Sequence, residues 1–573
     1  MMYKITLLFM VATYACLGLV EGYRPSYRAA VYEHALFQPT HFRTVSRSQA
    51  LRDMKKNLDI YAEQTRIASS QNVDIIVFPE DGIYGLNFNR DTIKPYLEDI
   101  PDPTEITWNP CNQSEYTNGV EVQITLSCMA RNNGIYIVAN MGDKKVCDAD
   151  SICPDDGQRQ YNTDVVFDPQ GNLVARYHKQ HLYFEAQFDT PSTVERVTFD
   201  TPFGKFGIIT CFDILFKSPA VDLVEDLGVK NVIFPTAWMD SLPLLSAIQF
   251  HSAFAKLFKV NLLAANLHFP LFNFHGSGIY SPRRTEAYYY NDGLFSPGKL
   301  LIADVKSSPT HYRRHQVVPD THGFRGGNSL GASFVHGQDT AEVNTQSRRN
   351  GGHYNTASRN GIISHQLADQ ASGVHLNNDL GPLTHRSIRN RIHNHAHLHR
   401  VNRHMVENGW ATIMADNDNY QYLPLTEPKA KVKICQNEVC CYLDYQKQNT
   451  SNDELYALGV FDGLHQIEGL SWYTQVCVLL KCEFTDIASC GQPTKIAAGH
   501  FEYLKLWGTF TTEYVFPEVL VSDDGKLRLE HEHWKYLHNR IEFVNRGKES
   551  PLLSATLYGR HYDRDNSTVS NSV

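Results

Sequence analysis

Three residue types in this chain could do covalent chemistry together. They are a carboxylate, a lysine and a cysteine, each at or just past the end of an apolar run. Cys211 closes Phe206-Gly207-Ile208-Ile209-Thr210, Glu80 follows Ile75-Ile76-Val77-Phe78-Pro79, and Lys179 follows the run from Leu173 to Tyr177. A strand that delivers a thiol to a sharp turn beside a free backbone N–H suits acyl transfer. With a base to take the thiol proton and a cation to face the developing oxyanion, the set could cleave an amide through a thioester. Taken singly, each residue has an ordinary explanation: a small core residue or disulfide partner, a strand-end carboxylate, a surface lysine. The shared placement is what groups them, because ligands bind beyond strand ends in sheet-based domains.

The elements that must position these groups can be traced in order. Tyr27 to Glu33 reads as a strand. Ser48 could cap a helix carrying Leu51, Met54, Leu58 and Tyr61 at helical spacing. Val73 to Phe78 reads as a buried strand stopped by Pro79, followed by a helix over 122–131 and a strand over 135–139. Asp168-Pro169-Gln170-Gly171-Asn172 is a turn signal between strands at 165–167 and 173–177. After Cys211 come a helix near 219–227, a strand at 231–234, a helix at 244–260 and a strand at 262–266. This alternation predicts an α/β layered domain with a mixed sheet. Six β-type runs between Ala430 and Val521 predict a smaller strand-rich domain.

The expected organisation is a leader at 1–22, a catalytic domain at 23–306, an insert at 307–405, a β-rich domain at 406–562 and a polar tail at 563–573. Lys4, the apolar Ile5–Val20 and Gly22 match a secretory leader, with an N-terminal anchor as the alternative. The insert is rich in Gly, Asn, Ser, Arg and His, and 13 of the 26 histidines fall between His311 and His404. It reads as disordered; its His393 to His399 tract could alternatively bind a metal. The tail lacks the hydrophobic terminus of a lipid-anchor signal, so no stable membrane anchor is expected. Lysine and arginine number 53 against 62 acidic residues, a net charge of −9 with no basic face, which speaks against a nucleic-acid partner.

Twelve cysteines are present, and eleven remain once Cys16 of the leader is set aside. An odd number in an oxidising compartment suggests that ten pair and one stays reactive. Their clustering suggests pairing within an early group (Cys111, Cys128, Cys147, Cys153) and within a late one (Cys435 to Cys490). Zinc is the competing reading, but regular paired C-x-x-C spacing is missing. Asn112, Asn449 and Asn566 head glycosylation sequons.

The runs Ile76-Val77-Phe78-Pro79-Glu80, Tyr177-His178-Lys179-Gln180-His181-Leu182 and Gly207-Ile208-Ile209-Thr210-Cys211-Phe212-Asp213 resemble the carbon–nitrogen hydrolase (nitrilase) superfamily. Phe234-Pro235-Thr236-Ala237-Trp238-Met239, Gly459-Val460-Phe461-Asp462-Gly463-Leu464 and Thr556-Leu557-Tyr558-Gly559-Arg560 are similar to its secreted vanin and biotinidase branch. The resemblance spans about residues 25–309 and 410–560. It implies an α-β-β-α sandwich with a disulfide-stapled β-rich C-terminal domain. It also implies a small-molecule amide substrate, no cofactor and no catalytic metal. Glu80 would be the base, Lys179 the transition-state cation and Cys211 the nucleophile. Glu185 would support the site or touch substrate, and Trp238 would either contact substrate or pack in the core. The implied substrate is pantetheine or, by the biotinidase alternative, a biotin amide. A fold that has lost turnover is the non-enzymatic alternative.

Overall fold

The computed structural model describes residues 24–40, 43–112, 119–147, 153–294, 296–307, 418–448, 453–467, 469–530, 533–544 and 550–565. The leader, the insert beyond Ser307, Asn449, Asn566 and most of the tail lie outside the described residues.

Twelve strands build the first domain: β1 (Ser26–Glu33), β2 (Ile75–Val77), β3 (Tyr136–Val146), β4 (Gln158–Phe167), β5 (Leu173–His178), β6 (Thr198–Thr201), β7 (Gly204–Ile208), β8 (Asn231–Thr236), β9 (Asn261–Asn266), β10 (Ser277–Tyr280), β11 (Thr285–Tyr289) and β12 (Lys299–Lys306). They form two six-stranded sheets, ordered β12-β1-β2-β3-β4-β5 and β11-β10-β9-β8-β7-β6. Each sheet has a parallel centre, β1-β2-β3 in one and β7-β8-β9 in the other, flanked by antiparallel strands. The expected mixed sheet is therefore present in duplicate. Parallel central strands must be buried on both faces. Accordingly Ala29, Val31, Ile75 and Val77 of one sheet share a core with Phe206, Ile208, Ile233 and Leu263 of the other.

Helices cover the outer faces. Arg47–Ser70 turns Met54, Leu58 and Tyr61 onto the first sheet, beside the helix Glu121–Asn133. The helix Ala247–Phe258 covers the second sheet. The layers thus run α-β-β-α. Two local expectations need correction. The cap of the first long helix is Ser46, whose hydroxyl accepts from Gln49 N, while Ser48 already lies inside the first turn. The helix expected near 219–227 is helical through Glu225 but starts as a wider turn, Lys217–Val221, that runs into Asp222–Glu225, and the non-helical backbone of Ser218 (φ −106°, ψ 127°) marks its start.

The C-terminal domain is an antiparallel sandwich. Its strands are β13 (Gln421–Pro424), β14 (Lys429–Gln436), β15 (Val439–Lys447), β16 (Tyr456–Ile467), β17 (Leu470–Lys481), β18 (Phe501–Thr509), β19 (Val515–Asp523), β20 (Lys526–Leu529), β21 (Trp534–Tyr536), β22 (Arg540–Val544) and β23 (Leu552–Arg560). The sheets are β13-β16-β17-β23-β19-β20 and β14-β15-β18-β22-β21. Cys441–Cys477 crosses from β15 to β17 and staples the two together. Cysteines pair within each predicted group: 111–128, 147–153, 435–440, 441–477 and 482–490. Among the described residues, Cys211 is the free cysteine.

The sandwich is packed onto the first domain. Phe250 meets Phe516 at 4.9 Å between ring centroids, so helix Ala247–Phe258 is buried on both sides. Arg560 at the end of β23 is fully buried and donates from Nε to the Leu215 carbonyl at 2.8 Å. Among the described residues, no helix is long and apolar enough to cross a membrane.

Candidate active site

Glu80, Lys179 and Cys211 come from β2, β5 and β7, and the fold brings all three to one buried locus. Glu80 is 1% exposed, Lys179 2% and Cys211 6%. Pro79 ends β2 and throws the Glu80 side chain past the strand end, where three donors converge on it. Oε1 accepts from Lys179 Nζ at 2.7 Å and from Asn162 Nδ2 at 2.8 Å, and Oε2 accepts from Ala237 N at 2.8 Å. The carboxylate is thereby fixed in one orientation.

Lys179 also donates to Glu185 Oε2. Both Glu185 oxygens are taken, Oε1 by Asn162 Nδ2 at 2.6 Å and Oε2 also by Tyr183 N at 2.9 Å. Glu185 is thereby held against the lysine, a placement that fits the supporting role considered for it. Burial alone would push the Lys179 ammonium down, but the Glu185 and Glu80 carboxylates outweigh it and hold Lys179 protonated, well above its usual value.

Cys211 opens a tight 3₁₀ turn, Cys211–Leu215, with φ +45° at the cysteine itself. A left-handed backbone at a non-glycine residue costs on the order of 1–3 kcal/mol and is kept where the surroundings over-determine it. Here they do. Thr210 and Asp213 cap the turn reciprocally. The Asp213 carboxylate accepts from Tyr177 OH at 2.7 Å and His181 N at 2.9 Å, which ties the cysteine turn to the loop that carries Lys179. Burial and the negative charge of Glu80 push the Cys211 thiol well up, so it rests protonated. Such a thiol needs a base to become a nucleophile.

A polar relay underlies the site. Asn162 Oδ1 accepts from Asn140 Nδ2 at 2.6 Å, which also donates to Asp164 Oδ1 at 2.9 Å. Asp164 in turn accepts from Thr210 Oγ1 at 2.6 Å, the residue before the thiol. Sequence reasoning missed Asn162, Asn140 and the Ala237 N–H. One signal was available for the first: Asn162 and Asp164 put two polar side chains on one face of a strand that is otherwise apolar toward its end.

A cavity opens from Cys211 toward the C-terminal domain. Tyr183, Phe212 and Trp238 line it from one side, His465, Trp472 and Tyr558 from the other. Trp238 lines the cavity, and its Nε1 donates to the Leu245 carbonyl at 2.9 Å while its ring stacks on Phe250. Asn112, the one sequon asparagine within the described residues, is exposed and accepts from Arg131 Nη1 at 2.5 Å.

Comparison with known proteins agrees with both domains. Residues 35–246 match the Carbon-nitrogen hydrolase family model, and residues 412–565 match the Vanin C-terminal domain model. The chain is 43% identical to a Pantetheinase of Bos taurus, covering 94% of this chain and 90% of that one. It is 41% identical to the Pantetheinase of Homo sapiens over 98% of this chain and 93% of that one. A Biotinidase of Mus musculus is 40% identical over 94% and 93%. The chain therefore belongs to the carbon–nitrogen hydrolase family, in the vanin and biotinidase branch, and is a hydrolase of carbon–nitrogen bonds other than peptide bonds.

Proposed function

We propose that the protein hydrolyses pantetheine to pantothenate and cysteamine, with Cys211 as nucleophile, Glu80 as general base and acid, and Lys179 as the cation at the oxyanion. The observation that carries the reading is Glu80. It is a buried carboxylate held by three donors, paired to Lys179, and its negative charge acts on the Cys211 thiol.

The steps follow from what each group can do. Glu80 takes the thiol proton, and the thiolate attacks the amide carbonyl. Lys179 and the Phe212 N–H, at the start of a turn where backbone donors lack intrahelical partners, stabilise the tetrahedral oxyanion. The intermediate collapses, breaking the C–N bond, and Glu80 returns the proton to the departing amine. A thioester on Cys211 remains. Glu80 then takes a proton from water, whose oxygen attacks the thioester, and the acid leaves as the thiol is restored. Glu185 and Asn162 hold Lys179 and Glu80 in place throughout.

A biotin amide is the second reading, favoured by the similarity to Biotinidase. Purified protein assayed side by side on pantetheine and on biotinyl-lysine separates the two, with Cys211→Ala as control. Five disulfides among the described residues and the leader-like N-terminus support secretion. The boundaries we propose are 23–306 for the catalytic domain and 406–562 for the sandwich. N-glycosylation at Asn112 is part of the same proposal, and a mass shift on enzymatic deglycosylation tests it.

A further inference from the structure

One buried hydroxyl beside the nucleophile has no partner. Thr236 ends β8 and is fully buried, and its Oγ1 makes no hydrogen bond in the resting site. Such groups are few in native proteins, and each calls for a reason. The sheet register supplies one. Strands β7 and β8 run parallel with Ile208 level with Ile233, and Ile209 N donates to the Ile233 carbonyl at 3.3 Å. Three residues on from Ile208 and Ile233 are Cys211 and Thr236, so the register brings the two side by side at the strand ends. The residue after Thr236 is already in the site, because Ala237 N donates to Glu80 Oε2 at 2.8 Å. Asn266 fixes the segment beyond it, accepting from Trp238 N at 2.9 Å and donating from Nδ2 to the Trp238 carbonyl at 3.1 Å. The hydroxyl is thus placed at the sulfur by backbone that also holds the base. Burial and Glu80 push the Cys211 thiol up, while Lys179 and the Thr236 side chain, as a hydrogen-bonding group, pull it down. Glu185 adds a smaller upward push.

We propose that Thr236 is a catalytic residue whose hydroxyl donates a hydrogen bond to the Cys211 thiolate, a bond that the resting thiol does not accept. The inference deepens the reading of Cys211 as nucleophile and rests on it. A thiol sulfur is a weak acceptor, whereas a buried thiolate carries a full charge, and hydrogen bonds to charged groups are about twice as strong as neutral ones. An interaction that appears only as charge develops lowers the barrier without tightening the ground state. It acts twice in each turnover. As Glu80 takes the thiol proton, the Thr236 hydroxyl turns onto the sulfur and keeps its own proton. When water displaces the acyl group, the C–S bond breaks and its electron pair returns to sulfur. Thr236 then meets the departing thiolate again, before Glu80 gives the proton back.

The test uses the full chain. Thr236→Val removes the hydroxyl and keeps the branched shape, and Thr236→Ser keeps the hydroxyl. In Thr236→Val the pH profile of Cys211 alkylation by iodoacetamide should move up by about one to two pH units. On pantetheine, or on biotinyl-lysine where that is the amide cleaved, kcat/KM should fall about 5–20-fold. That is less than the thiol shift alone, because a more basic thiolate is also a better nucleophile. The melting temperature should not fall, since the hydroxyl removed has no bond in the resting protein; a merely structural role would lower it. Thr236→Ser should restore the alkylation profile and most of the turnover. Alkylation needs no substrate, so it tests the contact separately from the amide reading, which fails on its own if Cys211→Ala retains turnover. An alkylation profile unmoved in Thr236→Val, or moved as far in Thr236→Ser, would overturn the inference.

Discussion

Replacing Glu80 with glutamine changes the site in a way the structure lets us size. Three donors meet the two carboxylate oxygens: Lys179 Nζ, Asn162 Nδ2 and Ala237 N. An amide has one acceptor oxygen, so in either orientation its NH₂ group confronts a donor. Leaving such a buried group unsatisfied costs about 1–3 kcal/mol, which a chain with two large cores should survive folded. The kinetic effect is larger. Loss of general acid–base help slows turnover by about 10²–10⁴-fold, equivalent to about 3–5 kcal/mol in the barrier. The thiol responds in the opposite sense. Glu80 is the second largest influence pushing the Cys211 thiol up, after burial, so removing its charge moves the thiol down. Amide turnover should therefore collapse while alkylation of Cys211 by iodoacetamide persists, at a rate that climbs with pH. The assay pairs steady-state kinetics on pantetheine with the alkylation rate across pH, plus a melting curve to show the fold intact. A turnover loss below about tenfold in a folded variant would refute the base role.

Other perturbations test other parts of the account. Cys211→Ala should abolish turnover yet melt near the wild type, since one small buried side chain is removed and the turn keeps its Thr210 and Asp213 caps; residual full activity would contradict the mechanism. Arg560→Met removes a fully buried guanidinium that pairs with Asp565 at 2.6 Å and holds the Leu215 carbonyl at the end of the cysteine turn. Breaking one side of a buried pair costs about 3–5 kcal/mol, so calorimetry should show a clear drop in melting temperature, and an unchanged melt would count against that link between domains. Glu518, 1% exposed on β19, has its carboxyl held well above the ordinary 4.5 by burial. Its folded-state affinity for a proton exceeds its unfolded one, so its contribution is present below that ordinary value and drains away as pH rises. Glu518→Gln should therefore melt progressively higher than wild type as pH goes from about 4 to about 8, and a gap independent of pH would refute the assignment.

Much of the site could be read in the chain because its chemistry sits where patterns change. Cys211, Lys179 and Glu80 each terminate a β-type run, and a run that stops at a reactive side chain is visible without coordinates. The central strands were equally legible, since strands buried on both faces read as continuous apolar stretches. Two edge strands were not. β11 is half-buried throughout and β13 is only four residues long, so pairing, not pattern, gives them identity. The supports of the triad were hidden for a similar reason. Asn162 reaches Glu80 across 82 residues and Ala237 N across 157, contacts set by sheet order that local sequence does not encode. Least legible was the contribution of the C-terminal domain. His465, Trp472 and Tyr558 look like ordinary strand residues until the sandwich is docked against the cavity.

The central claim is that amides are cleaved through a thioester on Cys211. The most direct measurement is to mix the purified protein with excess pantetheine, quench in acid within the first turnovers, and identify the modified peptide by mass spectrometry. The account predicts a pantothenoyl adduct on the peptide containing Cys211, discharged by hydroxylamine and absent in Cys211→Ala. Turnover with no adduct on Cys211, or turnover that survives its replacement, would contradict it.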